Sequence, residues 1–245
     1  MADLYEKCRN FTAAREAIEA GIYPYFHALE SGQDTEVIIN GKRTVMIGSN
    51  NYLGLTSNSQ VIKAAKDALD KFGSGCSGSR FLNGTLTLHI ELEKRLAAFI
   101  GKEDALTYST GFQTNLGIIS TIAGRNDYIL CDSENHASIF DGCRLSFAKT
   151  LKYEHADMDD LEKKLKNVPE SAGKLIVTDG VFSMGGDICK LPEIVELAEK
   201  YEARILVDDA HGLGVLGAHG KGTGEHFGLM DKVDIVMVTL PEMSK

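Results

Sequence analysis

This chain has no C-x-x-C pair, no apolar run near the roughly 20 residues of a membrane span, and no excess of basic over acidic residues. Each absence removes a class of protein. The five cysteines, Cys8, Cys76, Cys131, Cys143 and Cys189, are odd in number and widely scattered. That spacing provides neither a structural zinc site nor a disulfide framework and reads as a reduced, cytoplasmic protein. A formal charge of -9 argues against a nucleic-acid partner, because phosphate backbones are bound by clustered Lys and Arg. It leaves room for a small anionic cofactor, which needs only local amides and one or two cations. The N-terminus, MADLYEKCRN, is charged and lacks the apolar stretch of a secretory signal. There are no repeats, no low-complexity tract and no internal linker.

The 245 residues are 43% hydrophobic and 25% charged, the composition of an ordinary globular protein. Short apolar blocks alternate with helical patterns. The blocks Ala105–Tyr108, Tyr128–Cys131, Leu175–Thr178, Ile205–Val207 and Ile235–Val238 predict strands. Helical periodicity predicts helices over Leu88–Ile100, Phe112–Ile122, Met158–Lys166 and Leu191–Tyr201. Strands that are apolar on both faces belong to a mostly parallel sheet covered by helices, so the class is α/β. Residues 1–48 read differently: an amphipathic segment, Ala2–Ala20, then a hairpin over Glu36–Gly48 with Asn40-Gly41 as its turn. The expected organisation is an arm and hairpin over 1–48 and a main domain over 49–245.

Chemistry gathers at the ends of the predicted strands. Ile205-Leu-Val-Asp208-Asp209-Ala-His211-Gly212 delivers two carboxylates and a histidine to a strand's C-terminal end, where ligands sit in open α/β sheets. An ATPase reading would need a G-x-x-x-x-G-K-S/T loop upstream, and none exists. A metal reading lacks a second histidine cluster. A hydrogen-bonded polar strand end remains the plain alternative. The following Gly212-Leu-Gly214-Val-Leu-Gly217 matches G-x-G-x-x-G, but a dinucleotide fingerprint must open a helix, and the glycine-rich run to Gly224 predicts a loop.

Three further clusters weigh on the choice. Tyr108-Ser-Thr110-Gly111-Phe112 places hydroxyls and free amides at a helix start, either an anion site or a simple N-cap. Asp132-Ser-Glu-Asn-His136-Ala-Ser138 follows a strand, as does Thr178-Asp-Gly-Val-Phe-Ser183-Met-Gly-Gly-Asp187. Four such ends presenting polar groups to one crevice is a stronger signal than any one of them.

The order Gly78-Ser-Arg-Phe-Leu-Asn-Gly-Thr85, Ser-Thr-Gly-Phe, Asn-His-Ala-Ser, Asp-Gly-Val-Phe-Ser-Met and Asp-Asp-Ala-His-Gly resembles the α-oxoamine synthases, from about Ser49 to Thr239. These are pyridoxal 5'-phosphate (PLP) enzymes of fold type I that condense an amino acid with an acyl-CoA, losing carbon dioxide. The Gly78–Thr85 run is closest to the branch that uses serine and long-chain acyl-CoA in sphingolipid synthesis. The resemblance implies a fold-type I large domain and a homodimer.

It further implies that Thr110, Gly111 and Phe112 hold the cofactor phosphate, with Thr239. His136 would stack on the ring, Asp208 pair with the ring nitrogen, His211 bond the ring hydroxyl and Ser183 lie beside the cofactor. Asn51 would meet substrate, and Asp209 would support from outside the contact. Where the family carries its cofactor lysine this chain has Glu242, with Lys245 three residues on. The family's remaining large domain, small domain and carboxylate-gripping arginine are not in the 245 residues. The expectation is therefore a truncated synthase that does not turn over alone.

Overall fold

The computed structural model describes residues 3–240. In chain order, helices α1 (Glu6–Arg9) and α2 (Ala13–Glu19) lead to strands β1 (Glu36–Ile39) and β2 (Lys42–Val45). Helices α3 (Ser59–Phe72), α4 (Thr87–Ile100) and α5 (Gly111–Ile122) follow. Strands and helices then alternate: β3 (Tyr128–Asp132), α6 (Ala137–Leu145), β4 (Lys149–Tyr153), α7 (Met158–Lys166), β5 (Lys174–Asp179), α8 (Leu191–Tyr201), β6 (Arg204–Asp208), α9 (Thr223–His226) and β7 (Ile235–Met237).

The last five strands form one sheet in the order β4-β3-β5-β6-β7, every pair parallel. Successive side chains of a strand face opposite sides, and here both sides are apolar. Leu175 and Val177 of β5 pack with Ile119 of α5 and Ile139 of α6, whereas Ile176 packs with Leu161 of α7 and Ile194 of α8. The chain runs outward from β3 to β4 and then returns past β3 to β5. Crossovers are right-handed, so this reversal sends α6 to one face and α7 and α8 to the other. It also opens a crevice beyond the C-terminal ends of β3 and β5, the switch point where α/β sheets bind ligands.

Helices α7 and α8 match the ranges predicted from periodicity. Asp157 caps α7 by accepting from the Asp160 N–H at 3.0 Å, with Asp159 and Asp160 in the first turn and three lysines in the last. Asn40 (φ 50°) and Gly41 (φ 69°) supply the two left-handed residues of the predicted hairpin turn.

Other expectations fail for physical reasons. Ala105–Tyr108 is not a strand: it has no ladder partner, and a groove of about 950 Å³ lies between it and the edge strand β7. Of the expected 2–20 segment, Ala2 lies outside the described residues and 3–20 holds two short helices interrupted at Asn10-Phe11-Thr12, neither with a buried residue. Strand β4 was not anticipated because Lys-Thr-Leu-Lys-Tyr reads as polar, as suits an edge strand. Helices α3 and α6 were also missed. The G-x-G-x-x-G stretch forms turns, not the start of a helix, as its glycine content predicts. No helix of the described residues is long and apolar enough to cross a membrane.

Candidate functional site

A cavity of about 210 Å³ lies at the switch point, lined by Gly111, Phe112, His136, Asp179, Asp208 and His211, with Thr239 at the end of β7. Its groups come from the starts of α5 and α6 and the ends of β5, β6 and β7. The N-terminus of α5 supplies Gly111 and Phe112, whose amides have no intrahelical acceptor. Thr110 is the N-cap of α5, accepting from the Gln113 N–H at 3.1 Å through Oγ1. A Cβ on Gly111 would lie 2.2 Å from Thr239 Cγ2, so only glycine lets this helix start approach the end of β7.

Beyond β3, His136 caps α6 and sits edge-on to Phe112, ring centroids 6.2 Å apart. Its backbone N–H donates to the Asp179 carboxylate at 3.2 Å, which ties the end of β3 to the end of β5. Asp208 ends β6 directly beside Asp179. It accepts from the Asn115 amide at 2.7 Å and from the Ala210 N–H at 3.1 Å. His211 follows on the next turn, its Nδ1 2.8 Å from the Tyr52 hydroxyl.

Two adjacent buried acids make this cavity unusual electrostatically. Burial, then the neighbouring Asp208, pushes the Asp179 carboxyl up to about 8. Burial also pushes Asp208 above the ordinary carboxylate range, against the Asn115 and Ala210 hydrogen bonds and the nearby imidazoles of His136 and His211. No lysine or arginine among the described residues reaches Asp208. A buried carboxylate held only by neutral donors is well suited to receive a cationic ligand group.

The structure brings together Thr110, Gly111, Phe112, His136, Asp208, His211 and Thr239. Ser183 lies exposed in a turn after β5 and does not line the cavity. Asn51 is half-buried outside it, its Oδ1 accepting from the Thr56 N–H. Asp209 faces away: it is buried and accepts from the Thr223 N–H at 2.7 Å and hydroxyl at 2.5 Å, fixing the loop after β6. Glu242 and Lys245 lie outside the described residues.

Sequence reasoning missed Tyr52 and Asn115, and it placed Ser138 and Asp179 in polar strand-end runs without giving either a role of its own. Tyr52 belongs to a loop 159 residues from His211, which no spacing reveals. Asn115 carried a usable signal, since it lies one helical turn after Gly111 and shares its face.

The aminotransferase class I and II family model matches residues 42–241. The chain belongs to that family. The serine palmitoyltransferase of Sphingobacterium spiritivorum is 58% identical over 236 residues, covering 96% of this chain and 59% of the relative. An 8-amino-7-oxononanoate synthase of Lysinibacillus sphaericus is 48% identical, covering 91% of this chain and 57% of that protein. Among solved structures, a serine palmitoyltransferase from S. paucimobilis with a bound PLP–myriocin aldimine is 42% identical, with a TM-score of 0.95. That match covers 99% of this chain and 62% of the other. The resemblance to α-oxoamine synthases and the fold-type I α/β class therefore hold. The chain spans about three fifths of the length of these relatives.

Proposed function

We propose that the switch-point cavity binds PLP and that the whole protein condenses serine with a long-chain acyl-CoA, losing carbon dioxide, as a homodimer. The observation that carries the reading is Asp208, a buried carboxylate at the cavity wall with only neutral donors on it. The residues fit the cofactor. Asp208 would face the protonated ring nitrogen, His136 would lie over the ring and His211 would bond its hydroxyl. The free amides of Gly111 and Phe112, with the hydroxyls of Thr110 and Thr239, would hold the phosphate, aided by the positive end of the α5 dipole. Ser183 and Asn51 lie outside the cavity lining, so a place beside the cofactor for Ser183 and a substrate contact for Asn51 rest on the family resemblance alone.

PLP, when bound, supplies an electron sink for a carbanion at the amino-acid α-carbon. The chain's own residues bind and orient. Asp208, when ionised, would favour a protonated ring nitrogen on the bound cofactor, and Asp179 accepts from the His136 backbone N–H, which fixes where the imidazole starts. Tyr52 fixes the direction of the His211 imidazole. Thr110 both caps α5 and offers its hydroxyl toward the phosphate position.

The family's cofactor lysine corresponds to Glu242 here, and a carboxylate provides neither covalent attachment nor a base of that strength. The 245-residue chain is thus expected to bind PLP without turnover. Lys245 is three residues further, roughly 10 Å along an extended chain. The test pairs a PLP absorbance titration with a free-CoA assay on serine and palmitoyl-CoA. Saturable binding with CoA release no faster than the no-enzyme control supports the reading. CoA release above that control, together with a phosphopyridoxyl adduct on Lys245 after borohydride reduction, contradicts the inactive-chain claim. The similarity to 8-amino-7-oxononanoate synthases supports a second reading with a different amino acid. Displacement titrations with serine, alanine and glycine against bound PLP separate the two.

A further inference from the structure

Behind the cavity, one amide links the two groups that would meet the nitrogen edge and the face of a bound ring. Asn115 is fully buried on α5. Its Nδ2 donates to Asp208 Oδ2 at 2.7 Å and to Ser138 Oγ at 2.8 Å. Ser138, also fully buried, then approaches His136 Nδ1 twice, through Oγ at 2.7 Å and through its backbone N–H at 3.3 Å. A backbone N–H only donates, so His136 Nδ1 is an acceptor and the ring proton sits on Nε2. With its own oxygen receiving from Asn115, Ser138 is free to give its hydroxyl proton to that same Nδ1.

The carbonyl end of the amide shows what this arrangement costs. Asn115 Oδ1 is buried with no hydrogen-bond partner, a penalty that a native core seldom carries. Turning the amide over would give Oδ1 company only by setting it against the Asp208 carboxylate, acceptor against acceptor. The two donor contacts therefore fix the amide's direction. The packing fixes its place: a Cβ on Gly142 of α6 would lie 3.0 Å from the Asn115 backbone oxygen, so the close approach of α5 and α6 at this point is built around a glycine.

We propose that Asn115 is a positioning residue whose single amide nitrogen holds Asp208 as a hydrogen-bond acceptor and, through Ser138, holds His136 with Nδ1 as acceptor. Both effects serve a cationic ring. In the PLP reading, Asp208 would face the ring nitrogen as an acceptor, and His136 would lie over the ring with Nδ1 turned to Ser138. The charged and titratable groups facing Asp208 are Asp179 on β5, Asp209 beside it, His136 at the start of α6 and His211 after β6. Removing the Asn115 amide leaves Asp208 among two acids with the Ala210 N–H as its remaining hydrogen-bond donor.

The test uses the full 245-residue chain with and without the substitution Asn115→Leu, which keeps similar volume and removes both donors. Carbon-13 labelling of aspartate side chains, with Asp208 assigned by its absence in Asp208→Asn, reads the titration in the cofactor-free protein. The Asp208 midpoint should rise by about one pH unit in Asn115→Leu, the size expected when a hydrogen bond to the ionised form is lost. An unchanged midpoint overturns the proposal. In the PLP titration, the variant's affinity should fall by up to about ten-fold at pH values below the Asp208 midpoint read from the carbon-13 titration, with the deficit closing as pH rises and Asp208 ionises in both proteins. A deficit of the same size at every pH indicates a merely structural residue and also overturns it.

Should Asn115→Leu not fold, Ser138→Ala decides. Nitrogen-15 spectra should show the His136 Nδ1 resonance moving toward that of an unbonded ring nitrogen, and no movement rejects the relay. This second readout rests on the PLP reading only where PLP is used. Absence of PLP binding to the unsubstituted chain would refute that reading while the carboxyl and imidazole spectra still judge the relay.

Discussion

Arg80 and Glu93 form a half-buried pair, with guanidinium nitrogens 2.5 and 3.1 Å from the two carboxylate oxygens. Thr107 joins them, its N–H and hydroxyl donating to Glu93 at 2.8 and 2.9 Å. The Gly78–Thr85 loop is thereby fastened to α4. The guanidinium first, then the Thr107 donors, hold Glu93 down at about 2, against the effect of burial. Its folded value is below the unfolded value near 4.5, so this stabilisation is complete above about pH 4.5 and lost as pH falls through about 2. Arg80→Ala should cost about 1–3 kcal/mol at pH 7 by leaving Glu93 without its cation. In urea melts that difference should shrink toward acid.

His155 carries the opposite sign. Burial pulls its pKa down, but Asp132 and Asp187, each 2.9 Å from a ring nitrogen, outweigh burial and raise it above 6.5. The link to the turn carrying Ser183 is therefore complete below pH 6.5 and lost as pH rises through the raised value. Asp187→Asn should lower the melting temperature at pH 6 and much less at pH 9. Equal deficits at both would contradict the ion-pair assignment. At this scale the sequence displayed the strand-end acids, imidazoles and threonines because they fall in compact runs. It hid Tyr52 and Asn115, and the part Asp179 plays within its run, because these depend on partners 43 to 159 residues away.

Among elements, helices α7 and α8 were legible to the residue because an apolar stripe, an N-terminal signal and flanking turns agree. In α7, Leu161 and Leu165 are buried while the lysines face solvent. Leu161→Ala should therefore destabilise by about 2–5 kcal/mol through the cavity it leaves. Lys163→Ala on the exposed side should change stability by less than about 0.5 kcal/mol. Thermal and urea unfolding of the two variants checks the contrast. Strands were legible where both faces are apolar, as in β5, whose six residues are all buried. Strand identity failed at Ala105–Tyr108, because an apolar run predicts a strand only if a neighbour completes its ladder. Helix α5 shows a local signal with two uses. Thr110→Ala should cost about 1 kcal/mol as a lost cap, and should also weaken PLP binding, which a cap alone would not do. Comparison of melting curves with and without PLP separates these effects.

Across the whole molecule, the reversal of strand order between β4 and β5 turns separate polar strand ends into one cavity. The α/β class and the crevice followed from the strand pattern, but the side of the sheet taken by each helix did not, since it depends on strand order. The chain spans about three fifths of its relatives, so the reaction is assigned to the whole protein and the cofactor cavity to the residues described. The central claim is that Asp208 makes this cavity a PLP site. Its most direct measurement is a paired PLP absorbance titration of the unsubstituted chain and Asp208→Asn, with matched melting curves to confirm folding. The account predicts saturable binding by the unsubstituted chain and at least about ten-fold weaker binding by Asp208→Asn, the equivalent of one lost charge–charge contact of about 1.4 kcal/mol. Equal affinities, or no binding by either folded protein, would contradict it.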